Sequence, residues 1–402
     1  MLTAALIFIA TYLIVALGRL PFLRLDRAGA ALLGAALMVA SGTLSLDEAY
    51  RAIDFGTITL LLGMMLIVAH LRLSGFFALV TAFAARRAQA PLLLLGAIIV
   101  ITGVLSAFLV NDAVCLMLTP LVIETARRLG RRPLPYLLAL AMASNIGSVA
   151  TITGNPQNMM IGSFSHLPYA SFAAALSPVA AIGLVLLFAM IAAFHPHDFF
   201  RAAAPGNGAA PQPRIHPMLL AGALVATLLA IAGFFAGIAP AKVAIVLGAL
   251  LLLTPIKPQR VYREIDWSLL LLFVGLFIVL AGAEKALLTP AVRDAVASAG
   301  LGHVAVLAVI AAVLSNLVSN VPAVLVLAPF LRGIADPTRA WLVLAMASTL
   351  AGNFTILGSV ANLIVVERAH RQAVDIGFWD YFRIGAPLTL ATLALGAWWL
   401  SQ

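Results

Sequence analysis

Apolar runs of membrane-spanning length alternate with short polar segments from one end of the chain to the other. A helix crosses a bilayer with about 20 predominantly apolar residues. The pattern predicts crossings at 2–18, 28–45, 55–71, 134–165 and 171–194, and again at 217–236, 241–255, 267–283, 339–366 and 384–400. The runs 134–165 and 339–366 are interrupted by polar and helix-breaking residues. Stretches 91–126 and 302–331 have arms too short to read as ordinary pairs of crossings. Arg86 and Arg87 precede the first of them, and Arg127, Arg128, Arg131 and Arg132 follow it. Both of its ends therefore belong on the positive side of the membrane, and the unit enters and returns as a re-entrant hairpin. Segments 74–87 and 284–300 read as interfacial helices leading into the two hairpins. The first run carries no basic leader or small-residue cleavage site and reads as a retained helix.

The series is written twice. Ile53-Asp54 and Leu62-Gly63 match Ile265-Asp266 and Val274-Gly275 at an offset of 212. Ser106, Asn111 and Pro120 match Ser315, Asn320 and Pro329 at 209, and Leu140-Ala-Met-Ala-Ser144 recurs unchanged as Leu344-Ala-Met-Ala-Ser348 at 204. Thr151, Gly154 and Asn158 then match Thr355, Gly358 and Asn362. Slowly drifting offsets in a conserved order are the mark of an internal repeat with small loop deletions. Five crossings per copy make the copies inverted. The expected fold is an all-α polytopic membrane protein of two inverted repeats, each with a re-entrant hairpin and a broken helix. The first repeat is 1–194 (hairpin 91–126, broken helix 134–165) and the second 217–402 (hairpin 302–331, broken helix 339–366). The Pro-, Gly- and Arg-rich stretch 195–216 joins them as a cytoplasmic linker.

Composition agrees with this class: 63% of residues are hydrophobic and 10% charged, against about 25% charged in soluble domains. The net charge of +9 sits in short loops, without a basic stripe interleaved with aromatics, so it points away from nucleic acid. On the topology above, 18 of the 24 Lys and Arg fall on the inner side and six on the outer. That bias places both termini outside the inner (plasma) membrane. Cys115 is the only cysteine, which excludes an intrachain disulfide and a Cys-based metal site.

Half-helix ends expose unpaired N–H and C=O groups at membrane depth, and transporters of this architecture bind solute there. Thr151-Ile-Thr-Gly-Asn-Pro-Gln-Asn158 is such a break: Gly154 frees the backbone and Pro156 favours the first turn of a new helix. Thr153, Gly154, Asn155, Pro156, Gln157 and Asn158 are therefore candidate solute ligands, with Thr355, Gly358, Ser359 and Asn362 from the second break. The hairpin tips add Asn111, Ser319 and Asn320. Asp112, next to Asn111, is the candidate for proton or cation coupling, because a carboxylate deep in a bilayer costs about 2.5–3.5 kcal/mol and marks ion paths. Asn111, Ser144, Asn145, Thr151, Asn320, Ser348, Thr349 and Asn353 are the further coupling-ion candidates. Asp54 and Asp266 read as helix caps, Glu124 as a partner of Arg127 or Arg128, and His70 and His303 as interfacial.

Val110-Asn-Asp-Ala-Val-Cys-Leu-Met-Leu-Thr-Pro120, Ser144-Asn-Ile-Gly and Thr153-Gly-Asn-Pro-Gln-Asn158 together resemble the ion-transporter superfamily. That group includes ArsB-type arsenite efflux pumps, sodium/proton antiporters, citrate-type permeases, divalent-anion symporters and bacterial "anion permeases". Divalent-anion symporters carry Ser-Asn-Thr at each tip; this chain keeps Asn111, Ser319 and Asn320 but has Val110, Asp112 and Val321 at the other positions. The Asn-Asp pair is closer to the arsenite pumps. The resemblance implies a homodimer, a bound Na⁺ as the one candidate cofactor, and an elevator movement of hairpins and broken helices against a scaffold.

The function expected is secondary active transport of a small oxyanion or weak oxyacid, arsenite-like, coupled to H⁺ or Na⁺ by alternating access. An organic-anion (citrate or dicarboxylate) permease, a Na⁺/H⁺ antiporter and a passive anion channel are the competing readings. An enzyme is not expected, since no His-Glu-x-x-His pair, paired membrane aspartates or Gly-x-Ser nucleophile turn is present. No ATP-binding loop is present either, so any ATPase would be a separate subunit.

Overall fold

The computed structural model describes the chain except for residues 21–24, 88–89, 200–214, 293–299 and 332. Apart from one two-residue antiparallel pairing, Arg19–Leu20 with Leu25–Asp26, the described residues form helices and their connections. The first half runs α1 (Leu2–Leu17), α2 (Arg27–Ala40), α3 (Leu46–Ala52), α4 (Phe55–Ser74), α5 (Phe76–Arg87), α6 (Pro91–Phe108) and α7 (Asn111–Arg128). It ends with α8 (Leu134–Ser148), α9 (Pro156–Ser165), α10 (Tyr169–Phe194) and the short α11 (Pro196–Phe199). The second half repeats the order as α12 (Pro217–Phe235), α13 (Pro240–Leu250), α14 (Pro258–Tyr262), α15 (Trp267–Leu287), α16 (Val304–Val318) and α17 (Asn320–Leu331). It closes with α18 (Pro337–Leu350), α19 (Val360–His370) and α20 (Phe378–Ser401). Most of the linker lies outside the described residues, as do 293–299 of the second interfacial segment, whose first residues, 284–287, instead continue α15.

Among the described residues, six helices are long and apolar enough to span a membrane: α4, α6, α10, α12, α15 and α20. α6 is one of them, with 18 residues, or about 27 Å of helix. The first hairpin arm is thus longer than its sequence suggested, long enough by itself to span the apolar layer. The outer helices keep their large apolar side chains exposed: Leu6, Ile9, Leu13 and Leu17 form one stripe on α1, and Val225, Leu228 and Leu229 another on α12. Such stripes are solvated by lipid rather than water. The chain is a multi-pass membrane protein.

Local chemistry sets the helix ends. Asp54 and Asp266 cap α4 and α15, accepting from Thr57 N (2.6 Å) and Leu269 N (3.0 Å). Ser45 and Glu48 close a capping box on α3, and Lys285 donates to both Glu48 oxygens at 2.6 and 2.8 Å. The Lys285 ammonium, followed by the Ser45 amide, holds the Glu48 carboxyl below the usual carboxylate range.

Packing interleaves the halves. α2 lies along α15, and α4 lies along α13, so these two pairs join helices from opposite halves. Both crossings depend on glycine. A Cβ on Gly275 would stand 2.5 Å from the Ala31 carbonyl carbon, and one on Gly63 would stand 2.5 Å from the Ile245 amide nitrogen. Small residues are what let helix backbones approach this closely in a bilayer. His70 on α4 is fully buried, with Nδ1 2.7 Å from the Leu66 carbonyl oxygen, and is not the interfacial residue expected.

α8 and α18 carry the repeated Leu-Ala-Met-Ala-Ser and are buried on every face, as an all-round apolar helix must be. They form the centre of the molecule. α7 of the first hairpin packs along α19 of the second half, and α17 of the second hairpin touches α9 of the first.

Candidate functional site

Both broken helices stop, make a 3₁₀ turn and restart. Ile152–Gly154 separates α8 from α9, and Ile356–Gly358 separates α18 from α19. A Cβ on Gly154 would collide with the Ser148 carbonyl, so only glycine lets the turn fold back on α8. Pro156 occupies the first turn of α9, where its missing N–H costs nothing. Asn155 caps α9 through Asn158 N at 2.8 Å, and Ser359 caps α19 through Ala361 N at 3.2 Å.

The carbonyls freed at each break are tied by one asparagine. Asn158 Nδ2 donates to the Ser148 and Thr151 carbonyls, both at 3.0 Å. Asn362 Nδ2 donates to the Gly352 and Thr355 carbonyls at 2.7 and 3.2 Å. The second set stands at the repeat offset of 204 from the first, so one device is used twice.

The breaks then cross-link. Asn145 Nδ2 donates to Asn353 Oδ1 (2.9 Å) and Asn362 Oδ1 (3.0 Å), and its Oδ1 accepts from Ser359 Oγ (2.9 Å) and Asn111 Nδ2 (3.4 Å). That carboxamide is fully used. Its repeat counterpart, Thr349, accepts from Asn155 Nδ2 and Gln157 Nε2, each at 3.2 Å, and donates to Asn158 Oδ1 at 3.5 Å. Asn353 Nδ2 reaches the Met142 carbonyl at 3.3 Å, and Ser144 Oγ donates to the Asn111 carbonyl at 3.4 Å. At the second tip the surrounding groups fix which way the Asn320 carboxamide is turned: with its nitrogen toward the Ser348 and Gly358 carbonyls it donates to both, at 3.1 and 3.2 Å, and its Oδ1 accepts from Gln157 at 3.2 Å. No side chain in this network carries a charge.

Thr151, Thr153 and Asp112 point their side chains out of this network. Thr151 donates to the Ala107 carbonyl at the first hairpin, and Thr153 pairs with the Tyr169 hydroxyl at 2.7 Å. Tyr169 lines a cavity of about 560 Å³ between the end of α9, the start of α4 and the α12–α13 loop. Asp112 turns away from the network. Neighbouring residues on a helix point about 100° apart, so while Asn111 faces Asn145, Asp112 lines a separate cavity of about 110 Å³. That cavity also holds Asp266 and the Arg72–Glu264 ion pair.

Ser319, at the second tip, has φ 76° and ψ 159°, a region ordinarily left to glycine. Ser319→Gly is expected to raise the melting temperature, by relief of about 1–3 kcal/mol of backbone strain. An unchanged or lower melting temperature in detergent would show that the hydroxyl compensates for the strain.

Sequence reasoning passed over Asn316, Tyr169 and Tyr381. Asn316 Nδ2 bridges the Ala312 and Ala351 carbonyls at 3.0 Å each, tying α16 to the second break. Its position four residues before Asn320, inside an apolar run, was the available signal. Tyr381 is buried beside Asn362.

The citrate transporter (CitMHS) family profile matches residues 12–351. A silicon efflux transporter of Oryza sativa subsp. japonica is 30% identical, over 94% of this chain and 92% of that protein. An uncharacterised transporter of Mycobacterium tuberculosis is 29% identical over 99% and 97%. A protein described as putative transporter arsB of Dictyostelium discoideum is 24% identical over 98% and 90%. In fold, the chain superposes on the Alcanivorax borkumensis YdaH transporter with a TM-score of 0.63 at 16% identity, covering 100% of this chain and 95% of that one. With a profile match over most of the chain and transporter relatives aligned nearly end to end, the chain belongs to the CitMHS citrate transporter family of membrane transporters.

Proposed function

We propose that the protein is a secondary active transporter of a small weak oxyacid, bound in its undissociated form where the two broken helices meet, and coupled to H⁺ or Na⁺. The observation that carries this reading is the uncharged network of Asn111, Asn145, Asn158, Asn320, Asn353, Asn362, Gln157, Thr349 and Ser359. Carboxamides and hydroxyls both donate and accept, which suits a solute carrying several hydroxyl groups. A di- or trianion desolvated among them, with no Arg or Lys to pair, would meet a large burial cost. Arsenous and silicic acids are uncharged at neutral pH. Relatives named for silicon efflux and arsB support this class. The family's description as citrate transporters supports organic-anion uptake as the second reading.

The recurrence of helix order and of the Asn158 and Asn362 ties supports two repeats, 1–194 and 217–402, read as inverted. With the charge bias, that reading has both termini outside the inner membrane; Asp112, in a cavity of its own with Asp266, Arg72 and Glu264, is the group proposed to couple the cation.

Purified protein in proteoliposomes, offered arsenous acid, silicic acid, citrate, succinate and sulfate under imposed H⁺ or Na⁺ gradients, tests the reading. An oxyacid whose flux follows a cation gradient supports it. Citrate flux with no oxyacid flux establishes the second reading, and cation exchange without any of these solutes makes the protein an antiporter. Asp112→Asn is expected to abolish cation-linked flux while leaving the melting temperature within a few degrees of the parent. Fully coupled transport by that variant removes Asp112 from the mechanism.

A further inference from the structure

The two halves of the central network are built alike but are not closed alike. On the side of the second hairpin, Asn320 is satisfied three times over, by Gln157, the Ser348 carbonyl and the Gly358 carbonyl. On the side of the first hairpin, the residue at the repeat position of Gln157 is Ala361, which has no polar group to offer. Asn111 Oδ1, on a residue 4% exposed, has no hydrogen-bond partner among the described residues.

A second unpartnered group stands on the same side. Tyr381, 1% exposed on α20, lies against Asn362 and close to Cys115, and although Asn362 is within reach, the Tyr381 hydroxyl closes no hydrogen bond of good geometry among the described residues. The offset of 209 that relates Pro178 to Pro387 puts Phe172 at the counterpart of Tyr381, and the hairpin offset of 209 puts Val324 at the counterpart of Cys115. The second-hairpin side is thus apolar at both counterpart positions, with its one amide gap filled by Gln157. The first-hairpin side has a phenol, a thiol and a free carboxamide oxygen, with alanine where the filling side chain would come from.

We propose that the first-hairpin half of the network is the solute subsite, with Asn111 and Tyr381 as hydrogen-bonding ligands beside Cys115, and that Gln157 plays the solute's part in the other half. The proposal rests on the oxyacid reading and narrows it. Asn111 Oδ1 only accepts, so it calls for a hydroxyl donor on the solute, and the Tyr381 hydroxyl can donate to one of the solute's other oxygens. A fully ionised oxyanion offers Asn111 no proton. The subsite therefore selects a solute that keeps at least one protonated oxygen, which arsenous and silicic acids do.

Three measurements on the full chain in proteoliposomes test this, with silicic and arsenous acids as probes. Ala361→Gln installs the missing carboxamide and is expected to lower flux by about 100-fold with an unchanged melting temperature. Tyr381→Phe removes only an oxygen and is expected to raise KM by about 10-fold with little change in kcat. In the native chain, silicic acid is expected to slow modification of Cys115, the only cysteine, by methyl methanethiosulfonate. If Ala361→Gln misfolds, the other two measurements still decide. Parental flux in Ala361→Gln, an unaltered KM in Tyr381→Phe, or Cys115 modification indifferent to saturating solute overturns the subsite while leaving the oxyacid reading in place. Failure of the native chain to move any oxyacid overturns that reading itself.

Discussion

Asn145→Leu is expected to abolish transport and to destabilise the folded chain by about 2–5 kcal/mol. Hydrogen bonds between membrane helices are worth only about 0.6 kcal/mol on average when each is removed alone, which for four bonds gives the lower figure. The upper figure follows because the four partners have nowhere to turn. Asn353 and Asn362 are unexposed, Ser359 and Asn111 are each 4% exposed, and an unsatisfied buried group costs about 1–3 kcal/mol. Leucine also removes a side chain that joins the first hairpin tip to the second break. Melting in detergent and flux in proteoliposomes together check this. Parental values in both would mean that Asn145 is a spectator.

Gly63→Leu is expected to prevent assembly outright. The atoms that a Cβ would strike are the Ala244 carbonyl and the Ile245 amide, and backbone cannot step aside as the tip of a side chain can. Gly248 returns the contact, since its own Cβ would lie 2.8 Å from the Gly63 carbonyl oxygen. Overpacking a core typically costs about 1–3 kcal/mol, and a clash of backbone on backbone belongs at or above the top of that range. Gly275→Leu is expected to do the same at the α2–α15 crossing. Gly237→Ala is the control: its φ of 79° penalises alanine by about 1 kcal/mol, but nothing lies within 4 Å of the added carbon. Size-exclusion profiles separate the cases, with loss of the monodisperse peak expected for the first two variants alone. A monodisperse, transport-competent Gly63→Leu protein would mean that the α4–α13 contact is dispensable.

Much of this architecture could be read from residue order. Thr151 to Asn158 stood out because five polar residues and a proline inside an apolar run have no place in an unbroken helix, and the break falls there. Asp54 and Asp266 were readable as caps from position alone. What escaped was whatever depends on rotation and partner. Asn111 and Asp112 are adjacent in sequence, and nothing in the chain says that the tip turns one toward Asn145 and the other toward Arg72 and Asp266. His70 looked interfacial because its partner is the Leu66 carbonyl of its own helix, invisible in a list of side chains. Tyr381 sits in the first turn of a long helix, where aromatic residues ordinarily anchor to the membrane surface, so its burial had no signature. Gly63 and Gly275 were legible as repeat partners, but not as the floors of two crossings between halves.

The interleaving of α2 with α15 and of α4 with α13 bears on how the protein is made. When the ribosome has completed 1–194, the groove floored by Gly63 has no helix to receive, and only lipid or the insertion machinery can cover it until α13 emerges. The first half is therefore not expected to fold as an autonomous unit. The two halves synthesised as separate polypeptides are expected to survive together and to be degraded singly. Mutations at Gly63 or Gly275 would then act by prolonging that wait and lowering abundance, before any solute is met.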